Sequence, residues 1–233
     1  MSLALDVQHL SVRFGERRIL SDLTFQVPAG SSLAILGPNG AGKTVLFRAL
    51  IGSLPSDGSI AWAPDTRIGY VPQKLDIERD MPMTGLDLLR ARTTLARHVT
   101  PRVEIAQALA LVGMARATAE QPIGTLSTGQ FQRILVAMAL VSAPNVLLLD
   151  EPTAGLDEPG QEQLNALVHR LQQEQNLTVL FISHELNVIY QYATNVLCLG
   201  RSHVCLGPPT RILTPDVLHE MYGTSTDYHV HGH

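Results

Sequence analysis

Near the N-terminus apolar and polar residues partly alternate. Leu-Ala-Leu-Asp-Val at 3–7 and His-Leu-Ser-Val-Arg-Phe at 9–14 read as two strands. Gly15-Glu16 reads as a turn, and 18–27 as an edge or hairpin strand ending at Pro28-Ala29-Gly30. The run Ser-Leu-Ala-Ile-Leu at 32–36 has another texture: it is continuously apolar and bounded by glycines, as in a parallel strand buried on both faces. Helical residues are predicted from about 42 to 51, followed by short strands near 59–62 and 67–71.

From about 75 to 142 the period becomes helical. Thr84 is placed as an N-cap ahead of Leu86, Leu88 and Leu89, and Pro101 opens a segment carrying Val103, Ile105, Ala106, Leu109 and Leu111. A third helix begins near Gly129 and runs through Ile134, Leu135, Met138 and Ala139. Buried-strand texture then returns at Val146–Asp150 and Leu177–Ile182, with a helix at 158–172 between them. Strands near 195–199 and 203–206 and a short helix around 215–222 follow. Alternating strands and helices predict an α/β fold with a mainly parallel sheet covered on both faces, interrupted by an all-helical insertion. The expected organisation is a single domain, 1–233. Its core is 1–74 with 143–222, its helical subdomain about 75–142, and its polar, His-containing tail 223–233.

Composition narrows the function. The 233 residues are 45% hydrophobic, enough for a core, and only 16% charged, which implies that a partner covers some surface. Lys plus Arg total 17 against 21 Asp plus Glu, a formal charge of −4, so no basic footprint for nucleic acid exists. No secretory signal and no run of 18 uncharged apolar residues is present, which leads to the expectation of a cytoplasmic chain that reaches a membrane only through another subunit. The only cysteines, Cys198 and Cys205, read as buried thiols in a reducing compartment.

Two motifs carry chemistry. Gly37-Pro38-Asn39-Gly40-Ala41-Gly42-Lys43-Thr44 fits G-x-x-x-x-G-K-[ST] in full, between a predicted strand and a predicted helix. Its glycines let backbone N–H groups wrap phosphate oxygens, Lys43 reaches the β- and γ-phosphates, and the Thr44 hydroxyl ligates Mg²⁺. Asp150 ends the apolar run Val146–Leu149, where its carboxylate can orient Mg²⁺ directly or through water. Glu151 follows it and can position, or take a proton from, an attacking water.

Leu126-Ser127-Thr128-Gly129-Gln130, shortly before Asp150-Glu151, brings in a resemblance to the nucleotide-binding domain of ABC ATPases, whose signature is L-S-G-G-Q. The resemblance covers about residues 3–222 and departs at Thr128, which stands for the first glycine. It implies a P-loop NTPase core of ABC type with an N-terminal antiparallel β subdomain. It implies binding and hydrolysis of ATP with Mg²⁺ by a head-to-tail pair of copies, Ser127 and the Gly129 backbone meeting the γ-phosphate held by the other copy. By the same resemblance Phe14 stacks on adenine, and Gln73 senses Mg²⁺ and water, although pattern alone leaves Gln73 a surface turn residue. Asp157 belongs to the loop crossing the dimer interface, and His184 holds the catalytic water with Glu151. The catalytic candidates are therefore Glu151, His184 and Gln73. Nucleotide binding falls to Phe14, Gly37–Thr44, Val45, Ser127, Thr128, Gly129, Gln130 and Asp157, and Mg²⁺ to Thr44, Gln73 and Asp150.

Tyr70-Val71-Pro72-Gln73-Lys74 followed by Met81-Pro82-Met83-Thr84 resembles the ATPases of zinc and manganese uptake systems that use a binding protein. Import of a transition metal is the expected task, on the cytoplasmic side of the cell membrane, with integral membrane permease subunits as partners and a substrate-binding protein as an indirect one. Lys74 to Thr84 is a candidate docking surface. The chain length is expected to leave no room for a long C-terminal regulatory domain. His229, His231 and His233 are compatible with weak metal binding, but the favoured reading is a solvated tail that holds no ligand. Import of a ferric chelate or other solute, export, and a soluble ATPase in iron–sulfur cluster assembly stay open.

Overall fold

The computed structural model describes residues 2–73, 75, 81–95, 103–200 and 204–223. Lys74, residues 76–80, Pro101 and the tail histidines lie outside them. The chain divides into two compact units, residues 1–64 with 179–233, and residues 65–178.

In the first unit, β1 (Leu3–Phe14), β2 (Arg17–Pro28) and β4 (Asp57–Trp62) form an antiparallel sheet in the order β2-β1-β4. The two strands expected at 3–7 and 9–14 are one strand. Buried positions run Leu5, Val7 and then Leu10, Val12, so the inward phase slips by one residue. A bulge absorbs the slip: the register shifts between Val7 and Leu10, and His9 takes a φ of 53°. Asp22 on β2 matches it with a φ of 53° and accepts a 2.6 Å bond from His9 Nδ1.

The same unit holds β3 (Ser32–Leu36), β7 (Thr178–Ile182), β8 (Asn195–Leu199) and β9 (Val204–Gly207). Strand β3 pairs in parallel with β7 and β8, and β9 pairs antiparallel with β8. All five residues of β3 are buried, as the continuous apolar run required. Helix α1 (Lys43–Leu50) leaves β3 through the loop at 37–42 and buries Leu46, Phe47 and Leu50. Helix α7 (Leu186–Tyr192), the short α8 (Pro209–Ile212) and α9 (Pro215–Tyr222) complete the unit.

The second unit contains the parallel pair β5 (Ile68–Val71) and β6 (Val146–Asp150) and the helical segment. That segment holds α2 (Gly85–Leu95), α3 (Ile105–Leu111), α4 (Arg116–Ala119) and α5 (Thr128–Leu140), and α6 (Glu158–Gln175) follows β6. Helix α5 is its centre, packed against β5, α2, α3 and α6. Thr84 caps α2 as expected, its Oγ1 accepting from the Asp87 N–H at 3.1 Å. Among the described residues no helix is long and apolar enough to cross a membrane.

Candidate functional site

The loop between β3 and α1 is built by its glycines. A Cβ on Gly37 would lie 2.5 Å from the Leu199 carbonyl oxygen, so the backbone runs against β8 where no side chain fits. Gly42 has a φ of 96°, and a Cβ there would also press on Leu20 Cδ2 at 2.8 Å. Gly42 is the N-cap of α1 and no side chain bonds the cap, so the positive end of the helix is left for an outside anion. Lys43 is 8% exposed and its Nζ donates to the Gly37 and Pro38 carbonyls at 2.8 and 3.3 Å, curled along the loop it closes. A triphosphate fits this donor set, because glycine backbone, helix end and ammonium converge on one loop. Thr44 and Val45 follow in the first turn, both half-buried. In this unit Phe14 ends β1 with 51% of its surface exposed, and His184 is exposed just after β7.

The carboxylates stand in the second unit. Asp150 is 1% exposed at the end of β6 and accepts a bond from the Tyr70 hydroxyl at 3.3 Å. Sequence reasoning did not single out Tyr70; its place opposite Leu148 in the β5–β6 register, two residues before Asp150, is what aims it. Glu151 takes a φ of 46°, a left-handed backbone that a non-glycine residue rarely adopts. The turn points its carboxylate at Gln73, whose Nε2 donates to Glu151 Oε2 at 2.7 Å. Two residues 78 positions apart in sequence are thus one hydrogen-bonded pair. Carboxylates and an amide oxygen are hard ligands of the kind Mg²⁺ takes.

A second surface of this unit gathers the other candidates. Ser127 is the N-cap of α5, with Gln130 completing a capping box. The Ser127 Oγ accepts from the Gln130 N–H at 3.2 Å, and Gln130 Oε1 accepts from the Ser127 N–H at 2.9 Å. Gln130 therefore spends its side-chain oxygen on the cap. Asp157 caps α6, accepting from the Gly160 N–H at 3.2 Å. A cavity of about 540 Å³ is lined by Ser127, Thr128, Gly129, Gln130 and Asp157. A Cβ on Gly129 would meet nothing closer than Leu156 Cδ2 at 3.7 Å. The chain's own packing does not demand glycine there.

Comparison with known proteins decides the family. Residues 20–154 match the ABC transporter family. The chain belongs to it, as an ATP-binding subunit. It is 39% identical over 219 residues to the zinc import ATP-binding protein ZnuC of Cereibacter sphaeroides, covering 94% of this chain and 88% of that one. It is 38% identical over 225 residues to ZnuC of Yersinia pseudotuberculosis, covering 96% and 86%. A solved transporter assigned to the metal-chelate type, in an inward-facing conformation, superposes with a TM-score of 0.84 at 30% identity, covering 95% of this chain and 89% of that one. A nucleotide-free ATP-binding cassette from an ABC transporter gives 0.80 at 20% identity, covering 96% and 100%, and shows the fold alone. The fold is the P-loop ABC ATPase fold, with a mixed sheet, an N-terminal antiparallel subdomain and a helical insertion.

Proposed function

We propose that the chain hydrolyses ATP to drive import of a transition-metal ion, zinc or manganese, as a head-to-tail pair beneath membrane-embedded permease subunits. The observation that carries this reading is the likeness to zinc import ATP-binding proteins over 94–96% of the chain. An intact phosphate loop supports it.

In this reading Gly37–Thr44 and Val45 hold the phosphates through backbone N–H groups and Lys43, and Phe14 stacks on adenine. Thr44, Asp150 and Gln73 hold Mg²⁺, which neutralises charge on the phosphates when bound. Glu151 orients the attacking water and accepts its proton, with His184 holding the water's position. The Gln73–Glu151 bond keeps the carboxylate in one rotamer before water arrives. Ser127, Thr128 and Gly129 of one copy meet the γ-phosphate held by the other, Gln130 fixes that helix end through its cap, and Asp157 crosses between copies. ATP then joins the pair and hydrolysis releases it. Residues about 75–142 form the helical subdomain that passes this motion to the permease on the cytoplasmic face of the membrane, and a substrate-binding protein delivers the cargo. Nucleic acid plays no part. The likeness to a transporter of metal-chelate type favours a second reading, in which the cargo is a chelated metal.

Glu151→Gln tests the catalytic assignment. It keeps size and the bond to Gln73 but removes the base, so ATP turnover is expected to fall by ~10²–10⁴-fold with ATP binding intact. Turnover equal to that of the unaltered protein would refute the role given to Glu151.

A further inference from the structure

Cys198 and Cys205 face each other across β8 and β9 as directly paired residues. In an antiparallel pair such residues have Cα atoms about 4.5–5.5 Å apart, and a disulfide spans about 4.4–6.8 Å. Their side chains leave the sheet on one side, so the two sulfurs can join without moving the backbone. Cys198 is 1% exposed and Cys205 is partly exposed. A cavity of 440 Å³ opens beside the pair, lined by both cysteines, Pro38, Glu220, Met221 and Tyr222, and admits a small oxidant. Pro38 belongs to the phosphate loop.

We propose that Cys198 and Cys205 form a reversible intramolecular disulfide under peroxide, and that the bond weakens nucleotide binding at the phosphate loop. The route is short. Cys198 is paired on its other side with Leu36, the last residue of β3 before the loop. The next residue, Leu199, sets its carbonyl against Gly37 so closely that no Cβ fits between them. A covalent tie removes the freedom of β9 to shift against β8, and so restrains the strand edge against which the loop is folded.

The chemistry balances. The Cys205 sulfur attacks one peroxide oxygen, an S–O bond forms, the O–O bond breaks and one water leaves. The Cys198 sulfur then attacks the Cys205 sulfur, the S–S bond forms, the S–O bond breaks and a second water carries off the Cys198 proton. Two thiols lose two hydrogens, and hydrogen peroxide is reduced to two waters. The neighbouring Cys205 thiol and burial hold Cys198 above the ordinary thiol range, so Cys198 waits protonated and Cys205 is the sulfur that meets the oxidant.

The effect on nucleotide rests on the ATP site proposed above; the disulfide does not. Trypsin separates the partners, because Arg201 lies between them, giving peptides 171–201 and 202–211. The full chain is treated with hydrogen peroxide, alkylated, digested and weighed, and ATP affinity is measured before oxidation, after it, and after dithiothreitol. The expected result is the two peptides linked and lighter by two hydrogens. ATP affinity should drop by at least about fivefold and return with the reductant, and Cys205→Ser and Cys198→Ser chains should keep their affinity. Unlinked peptides with oxygen added to Cys205, or links between two chains, would overturn the disulfide. Linked peptides with unchanged affinity would overturn the switch. If the reduced chain binds no ATP, the proposed function falls instead, and the peptide linkage still decides the disulfide.

Discussion

At Gly37 a methyl group would lie 2.5 Å from the Leu199 carbonyl oxygen, and at Gly42 it would add a strained φ to a 2.8 Å clash. Gly37→Ala is expected to push the loop off β8, lowering ATP affinity more than stability, which paired binding and thermal-melt measurements would separate. Lys43→Ala removes a charged donor to phosphate and is expected to weaken ATP binding by roughly 10–100-fold; equal affinity would refute the role of the loop. Asp87 makes a different prediction. The Thr84 hydroxyl and N–H donate to its carboxylate, with Arg90 beside it, and hold its pKa below the ordinary 3.8. A depressed folded pKa stabilises the fold above the unfolded value and ceases to as pH falls through the folded one. Asp87→Asn should therefore be less stable than the parent near neutrality and equal to it in strong acid. The gap stays small because the group is exposed to solvent screening. Acid titrations of both proteins check the sign.

At the scale of elements, the Ser127–Gln130 capping box is the feature that most constrains the signature segment. Ser127→Ala removes the acceptor for the Gln130 N–H, and a cost of about 1 kcal/mol in unfolding free energy is expected. Gln130→Glu keeps an acceptor for the Ser127 N–H and should retain most of that stability. Denaturant unfolding of the two variants separates the cap from any role at nucleotide. The buried strands β3, β6 and β7 were legible because continuous apolar runs bounded by turn residues have few other homes. The bulge in β1 was visible only as a break in alternation, since a phase slip and a strand end look alike in sequence. Helix α7 was missed: Leu186–Tyr192 is seven residues, too short for its period to show, and no side chain caps it. The phosphate loop is local and could be read whole. The Gln73–Glu151 bond could not, because no spacing rule links residues 78 apart; Glu151 was read from its place after the apolar run, and Gln73 from the resemblance alone.

For the whole molecule, the account joins an ABC ATPase fold to a metal cargo, and its two halves stand on different supports. The fold rests on the structure, and the family on the match of residues 20–154. The cargo rests on relatives named for zinc import and on a neighbour assigned to the metal-chelate type. In the proposed importer selectivity would belong to the permease and the binding protein, and this chain would report cargo only through its rate of ATP hydrolysis. The most direct measurement is ATP turnover by the native complex, purified with its membrane partners and placed in liposomes. The binding protein would be added empty, then loaded with zinc, manganese or a ferric chelate. The account predicts that the zinc- or manganese-loaded form raises turnover above the empty form. Stimulation by the ferric chelate alone, or by no loaded form, would contradict it.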